Sequence, residues 1–209
     1  VTRYVSTTGG QVFPYTSVAG AARSIQPAIN ASAAGDVVLV YPGTYTLTIQ
    51  INLDRNITVK SVSGAAATIV DGNNACRIFW VTGRGAVIDG FTITRGFSGY
   101  GGGAGGVELV EGGTLKNCVV TSSKAHFDGG GVNCFRGGMV DGCTISGNES
   151  DDYGGGISCY NTAIIVNSII ENNRANNAPI SGAVYNGVGG GIFMDGSGCI
   201  VRNCRIRDN

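Results

Sequence analysis

Several things are scarce in this 209-residue chain, and each scarcity excludes something. It has four prolines, two methionines, one tryptophan and one histidine. Charged residues are only 13%, and 14 basic side chains cancel 14 acidic ones. With no net charge and no basic stripe, a nucleic-acid binder is not expected. Lysine is rare, three against eleven arginines, so the surface falls to Thr, Ser, Asn and Gly. No apolar run approaches roughly eighteen residues, so no membrane-spanning helix is expected. The chain starts at Val1 with no signal-peptide pattern, which fits a removed leader or a trimmed start. Together with the neutral polar surface, this sets the expectation of a secreted or cell-surface protein.

Glycine, by contrast, is abundant. Its 36 residues lack the three-residue period and the proline of collagen. A hydrophobic content of 43% is too high for a disordered glycine-rich linker. Seven cysteines show no metal-type spacing, and the odd number leaves at least one unpaired.

The glycines mark a repeat. Gly-Gly followed by an aliphatic residue occurs at Gly105, Gly130, Gly155 and Gly190, in steps of 25, 25 and 35 residues. A second marker, Phe91, Cys118, Cys143, Ser168 and Cys204, steps by 27, 25, 25 and 36. Two markers thus agree on a unit of 25 residues, with an insertion at about 178–188. The column before the second marker holds only Gly or Asn (Gly90, Asn117, Gly142, Asn167, Asn203). These residues most readily accept a left-handed backbone, so a tight turn recurs once per unit. Two places after the marker stand Ile93, Val120, Ile145, Ile170 and Ile206. Alternation of this kind means short strands with one face in a core.

Short strands repeating with like residues in register define a parallel β-helix, here of about six rungs, with equivalent positions about 4.8 Å apart. Residues 1–36 differ. Ser24 to Asn30 reads as a short capping helix, with Ser24 as N-cap and Ile25, Ala28 and Ile29 turned to the first rung. Residues 37–209 form the β-helix, continuous with that segment and ending in an uncapped rung.

The run from Ser24 to Tyr45, followed by Asn56-Ile57-Thr58-Val59 and Thr68-Ile69-Val70-Asp71-Gly72, resembles the opening of the pectin-lyase-like superfamily. The later units, with Asn-Cys before a strand and Gly-Gly-Gly-Ile after it, are similar to polymorphic outer-membrane protein repeats. They depart from that pattern in lacking most Phe-x-x-Asn elements and the usual Gly-Gly-Ala. The resemblance implies a right-handed coil and an exported location. It does not fix an activity, because the superfamily holds lyases, hydrolases, esterases, adhesins and non-catalytic surface proteins.

A lyase of this fold needs a base beside the uronate carboxylate and a cation to neutralise it. Rung alignment puts Lys124, Glu149 and Arg174 in one column and His126, Asp151 and Asn176 in the next. Lys124, His126 and Asp151 are therefore the catalytic candidates, against the plainer reading of a solvated charge ladder. Calcium is the one cofactor suggested, at Asp128, Asp151 and Asp152. Asp71, Asp89, Asp141 and Asp195 each precede a glycine and read as turn residues. Phe135, Tyr160, Tyr100, Tyr153 and Tyr185 are candidates for contact with a partner chain or a sugar, Phe135 and Tyr160 being adjacent and outward. Cys118 and Cys143 share an inward column, as do Cys134 and Cys159, which allows either disulfides or buried thiols.

The last rung leaves an open edge, so a homo-oligomer or filament through it is expected. The leading expectation is a secreted, non-enzymatic β-solenoid with a structural or adhesive role, self-assembling end to end. The alternative is a carbohydrate-active β-helix, either a polyuronate lyase or a polysaccharide-binding module.

Overall fold

A computed structural model describes residues 1–176 and 188–209. Tyr185 and nearly all of the expected insertion lie outside the described residues. The chain winds as an all-β parallel solenoid whose turns build four sheets, here A to D, of eight, seven, six and four strands. One turn shows the order: Val107–Leu109 in sheet C, Thr114–Lys116 in sheet A, Val119–Thr121 in sheet B and Lys124–Ala125 in sheet D. Val132–Cys134 then returns to sheet C beside Val107–Leu109, in the register the repeat demands. The six strands of sheet C count about six turns.

At the amino end, Thr2–Val5 pairs in parallel with Val37–Val40 and so becomes the first strand of sheet A. The α-helix Ile25–Asn30 buries Ile25, Ala28 and Ile29, as its apolar spacing requires. Ser24 occupies the N-cap position in extended backbone but makes no side-chain capping bond. Pro27, at the third helical position, has no N–H for that hydroxyl to accept.

The interior is built from the repeat columns. Phe91, Cys118, Cys143 and Ser168 are buried, and so are Ile93, Val120, Ile145 and Ile170. Each buried Ile or Val stabilises the fold by roughly 1.5–3 kcal/mol. The turn column behaves as its composition demands: Gly90, Asn117, Gly142, Asn167 and Asn203 have φ of 81°, 52°, 63°, 53° and 56°. Here an amide also links adjacent turns, Asn167 Nδ2 donating to Asp141 at 2.8 Å and Asn203 Nδ2 to Asn167 at 2.6 Å.

A second ladder escaped the sequence reading. Ser123 N–H donates to Asn148 Oδ1, Asn148 N–H to Asn173 Oδ1 and Asn173 N–H to Asn209 Oδ1, each at 3.0 Å. Asn148 Nδ2 also donates to the Val120 carbonyl, so one buried side-chain amide satisfies two backbone groups of the preceding turn. The Gly-Gly pairs have a steric reason: a Cβ at Gly130 would overlap the carbonyl oxygens of Glu149 and Gly155.

All seven cysteines are free thiols. Cys134 and Cys159 stand in register, and burial pushes the Cys118 thiol well above its ordinary value. Of the two readings open for these columns, the structure has the buried thiol.

Candidate functional site

The period-two pattern that turns Val107 and Leu109 inward leaves Glu108 on the other face of sheet C. Register then aligns Asn52, Trp80, Glu108, Asn133, Ser158 and Phe193 along that face, one per turn. The loops entering sheet C partly cover this row. Between them lies a cavity of about 300 Å3, lined by Trp80, Glu108, Val110, Asp128, Asn133, Phe135 and the glycine loop 101–103. Gly103 belongs there for two reasons. Its φ is 76°, and a Cβ would collide with the Glu108 carboxylate.

The polar groups of this groove are held tightly. Glu108 accepts from the Ala104 N–H at 2.6 Å and from Asn133 Nδ2 at 2.8 Å. Burial pushes its carboxyl up to about 7, against the pull of those donors and of Arg77, with Asp128 adding to the rise. Burial also raises Asp128, although Tyr160 donates its hydroxyl to it at 2.5 Å. Asp152 is pushed up to about 6, by burial first and by Asp128 second. Asn133 Oδ1 and Asp152 Oδ1 are buried with no hydrogen-bond partner. Arg77 lies over the Trp80 ring, 4.6 Å from its centroid, and donates to the carbonyls of Ala104 and Gly102 and to Ser98 Oγ.

Aromatic rings continue from the groove along the solenoid. Phe135 and Tyr160 are adjacent, centroids 6.2 Å apart; Tyr160 and Phe193 follow at 5.8 Å, and Phe193 and Tyr153 stack at 4.5 Å.

The three residues singled out for lyase chemistry do come together, on the loop side of sheet D. His126 Nδ1 is 2.6 Å from Asp151 Oδ2, and Lys124 Nζ is 3.2 Å from Asp151 Oδ1 and 2.8 Å from Glu149. Tyr100 stacks on the His126 ring at 4.6 Å, and Phe97 meets its edge. The cluster is closed on itself. Its bond to Glu149 raises the Lys124 ammonium above its ordinary value, the wrong direction for a base at neutral pH. Burial works against ionisation of Asp151, but the bonds from His126 and Lys124 outweigh it and hold the carboxyl below its usual value.

The calcium trio divides. Asp151 is engaged by Lys124 and His126, Asp128 by Tyr160, and Asp152 is buried with Oδ1 lacking a hydrogen-bond partner. Among the described residues no group of three or more His, Cys, Asp or Glu is placed to hold a metal ion. Of the aspartates preceding glycine, Asp71 binds Arg95 and caps its own turn at Asn73, while Asp89 accepts from Asn117.

Sequence reasoning missed Trp80, Glu108 and Asn133. The signal was available: a Glu between two core columns is a charged residue on the outer face of a strand, in register with a Trp and an Asn.

Comparison with solved structures finds pectin-lyase-like β-helix proteins. The chain is similar to a pectin methylesterase solved with a hexasaccharide, at a TM-score of 0.55 and 14% identity, covering 98% of this chain and 65% of that one. It is also similar to a pectate lyase, at 0.53 and 20% identity, covering 99% of this chain and 62% of that one. The chain thus spans less than two thirds of the length of these neighbours, and likeness at this identity shows the shared fold. No protein-family model matches the sequence. No curated protein matches it either.

Proposed function

We propose that this β-solenoid binds a polysaccharide in the groove over sheet C. The observation that carries the reading is the set Trp80, Glu108, Asn133 and Phe135 lining one cavity, which places ring faces beside hydrogen-bonding groups in one concave site. Sugars offer the same alternation, apolar C–H faces between hydroxyls, and concave sites with a few fixed polar groups are where such ligands are held. The fold shared with carbohydrate-active β-helices supports this, as does a cavity open to the flank along which a polymer could run. An extracellular location accords with a polysaccharide ligand.

Retention on a panel of immobilised polysaccharides tests the proposal. Wild-type protein should be retained by at least one, and Trp80→Ala and Phe135→Ala should each lose most of that retention. No retention on any polymer would contradict the reading.

Turnover of the bound polymer is a second reading, favoured by one observation. Glu108, held near 7, keeps a proton close to neutrality, as a general acid for glycosidic cleavage must. Release of reducing ends that disappears in Glu108→Gln while binding persists would distinguish an enzyme from a binding module. The end-to-end filament rests on Met194, Ile200 and Ile206, which are half-exposed in the last turn. A further turn of the same repeat would cover these side chains equally well, so they do not favour a second copy.

A further inference from the structure

The charge and the unpartnered acceptor of this groove bear on which sugars it takes, an inference that rests on the saccharide-binding reading. Glu108 and Asp128 both line the cavity, and Asp152 stands close enough to Asp128 to feel its charge. Among the described residues no Lys, Arg or His lines it. The nearest guanidinium, Arg77, faces the Glu108 charge and is held by the neighbouring loops. Arg77 donates to Ala104 O at 2.8 Å and Ser98 Oγ at 3.0 Å, and also to Gly102 O. At the rim, Arg136 lies over Phe135 and is tied to Glu111 at 2.8 Å. The other cation nearby, Lys124, is taken up by Glu149 and Asp151, and the His126 ring is bonded to Asp151.

The second observation is independent of charge. Asn133 is 2% exposed, gives its Nδ2 to Glu108, and leaves Oδ1 with no donor. A buried acceptor in that state calls for a hydrogen-bond donor from whatever fills the site. A uronate's hydroxyls could supply one, but its carboxylate could not. That carboxylate would be desolvated beside Glu108 and Asp128, the nearby guanidinium of Arg77 already facing the Glu108 charge. A sugar hydroxyl supplies the donor, and so does the ammonium of an amino sugar.

We propose that the groove takes sugars bearing hydroxyl or ammonium donors and no carboxylate, and that it discriminates against uronates. This sets the chain apart from the pectate lyase whose fold it shares.

The test is calorimetric titration with three oligosaccharides of equal length: a neutral glucan, a free hexosamine oligomer and an oligogalacturonate, each with and without added calcium. The expected result is that the glucan or the hexosamine oligomer binds at least tenfold more tightly than the oligogalacturonate in both conditions. The pH arm separates the two donor sources. Hexosamine binding should weaken as pH rises past neutrality, where the sugar ammonium loses its proton and with it the attraction to the groove's carboxylates, whereas glucan binding should not follow that loss. Asp128→Asn, which can still accept from Tyr160, should narrow the discrimination several-fold by improving oligogalacturonate binding. This gain cannot come from misfolding.

Oligogalacturonate binding as tight as the others, with or without calcium, would overturn the inference and leave saccharide binding standing. Binding of none of the three would remove both.

Discussion

Glu108 lies between two core residues, Val107 and Leu109, yet its own carboxyl reaches the groove and is only 4% exposed. Its pKa is raised from 4.5 to about 7, so the folded state holds the proton more tightly than the unfolded chain. For an acid shifted upward, stability is greatest below the unfolded value and falls as pH rises through the folded one. Between pH 4.5 and about 7 this group alone should cost up to about 3 kcal/mol. Asp152, raised from 3.8 to about 6, acts in the same direction over a lower window. Urea unfolding at a series of pH values should therefore show stability falling from pH 5 to 8, with a clearly shallower fall in Glu108→Gln. Equal slopes in the two proteins would show that Glu108 titrates normally.

At the scale of the element, the turns are the critical parts. Asn148 is a buried residue that accepts from Ser123 N–H and donates to the Val120 carbonyl. Asn148→Ala strands both partners, and a loss of about 2–4 kcal/mol in unfolding free energy is expected. A loss below about 0.5 kcal/mol would mean the ladder is ornamental. Gly130→Ala should be worse, because its Cβ meets two backbone carbonyls that cannot rotate away. Little or no folded protein should be recovered, as read by circular dichroism.

These elements also show what the sequence could reveal. In-register stacking puts chemically like residues at a fixed period, so Gly90, Asn117, Gly142, Asn167 and Asn203 could be read as one turn before any coordinates were known. The Asn148, Asn173 and Asn209 column has the same regularity but is masked in the sequence because it begins with Ser123. The groove was harder for a different reason. Periodicity places Glu108 on an outer face, but the loop at 101–103 that buries it belongs to no repeat column. Its effect on the carboxyl depends on the fold of that loop. The polar residues that did stand out, Lys124, His126 and Asp151, bond to one another.

Over the whole molecule, each turn rests on its neighbours, so protection should follow position along the axis. Side chains of 107–170 that face the core are buried, whereas Met194, Ile200 and Ile206 are about half-exposed. In hydrogen exchange on this 209-residue chain, the strands of 192–207 should lose protection before those of 107–170. Uniform protection would indicate that something covers the last turn, such as a second copy of the chain.

The same axial order lays the aromatic row from Phe135 to Tyr153 beside the groove, giving a polymer a continuous flank to follow. For saccharide binding over sheet C, the molecule carries its own reporter. Trp80 is the single tryptophan of the chain and lines the cavity. Titration with soluble oligosaccharides, followed by tryptophan fluorescence, should give a saturable change with a neutral or amino-sugar oligomer, and Asn133→Leu should weaken it at least several-fold. A tryptophan signal that stays unchanged across all the sugars tested would contradict that binding.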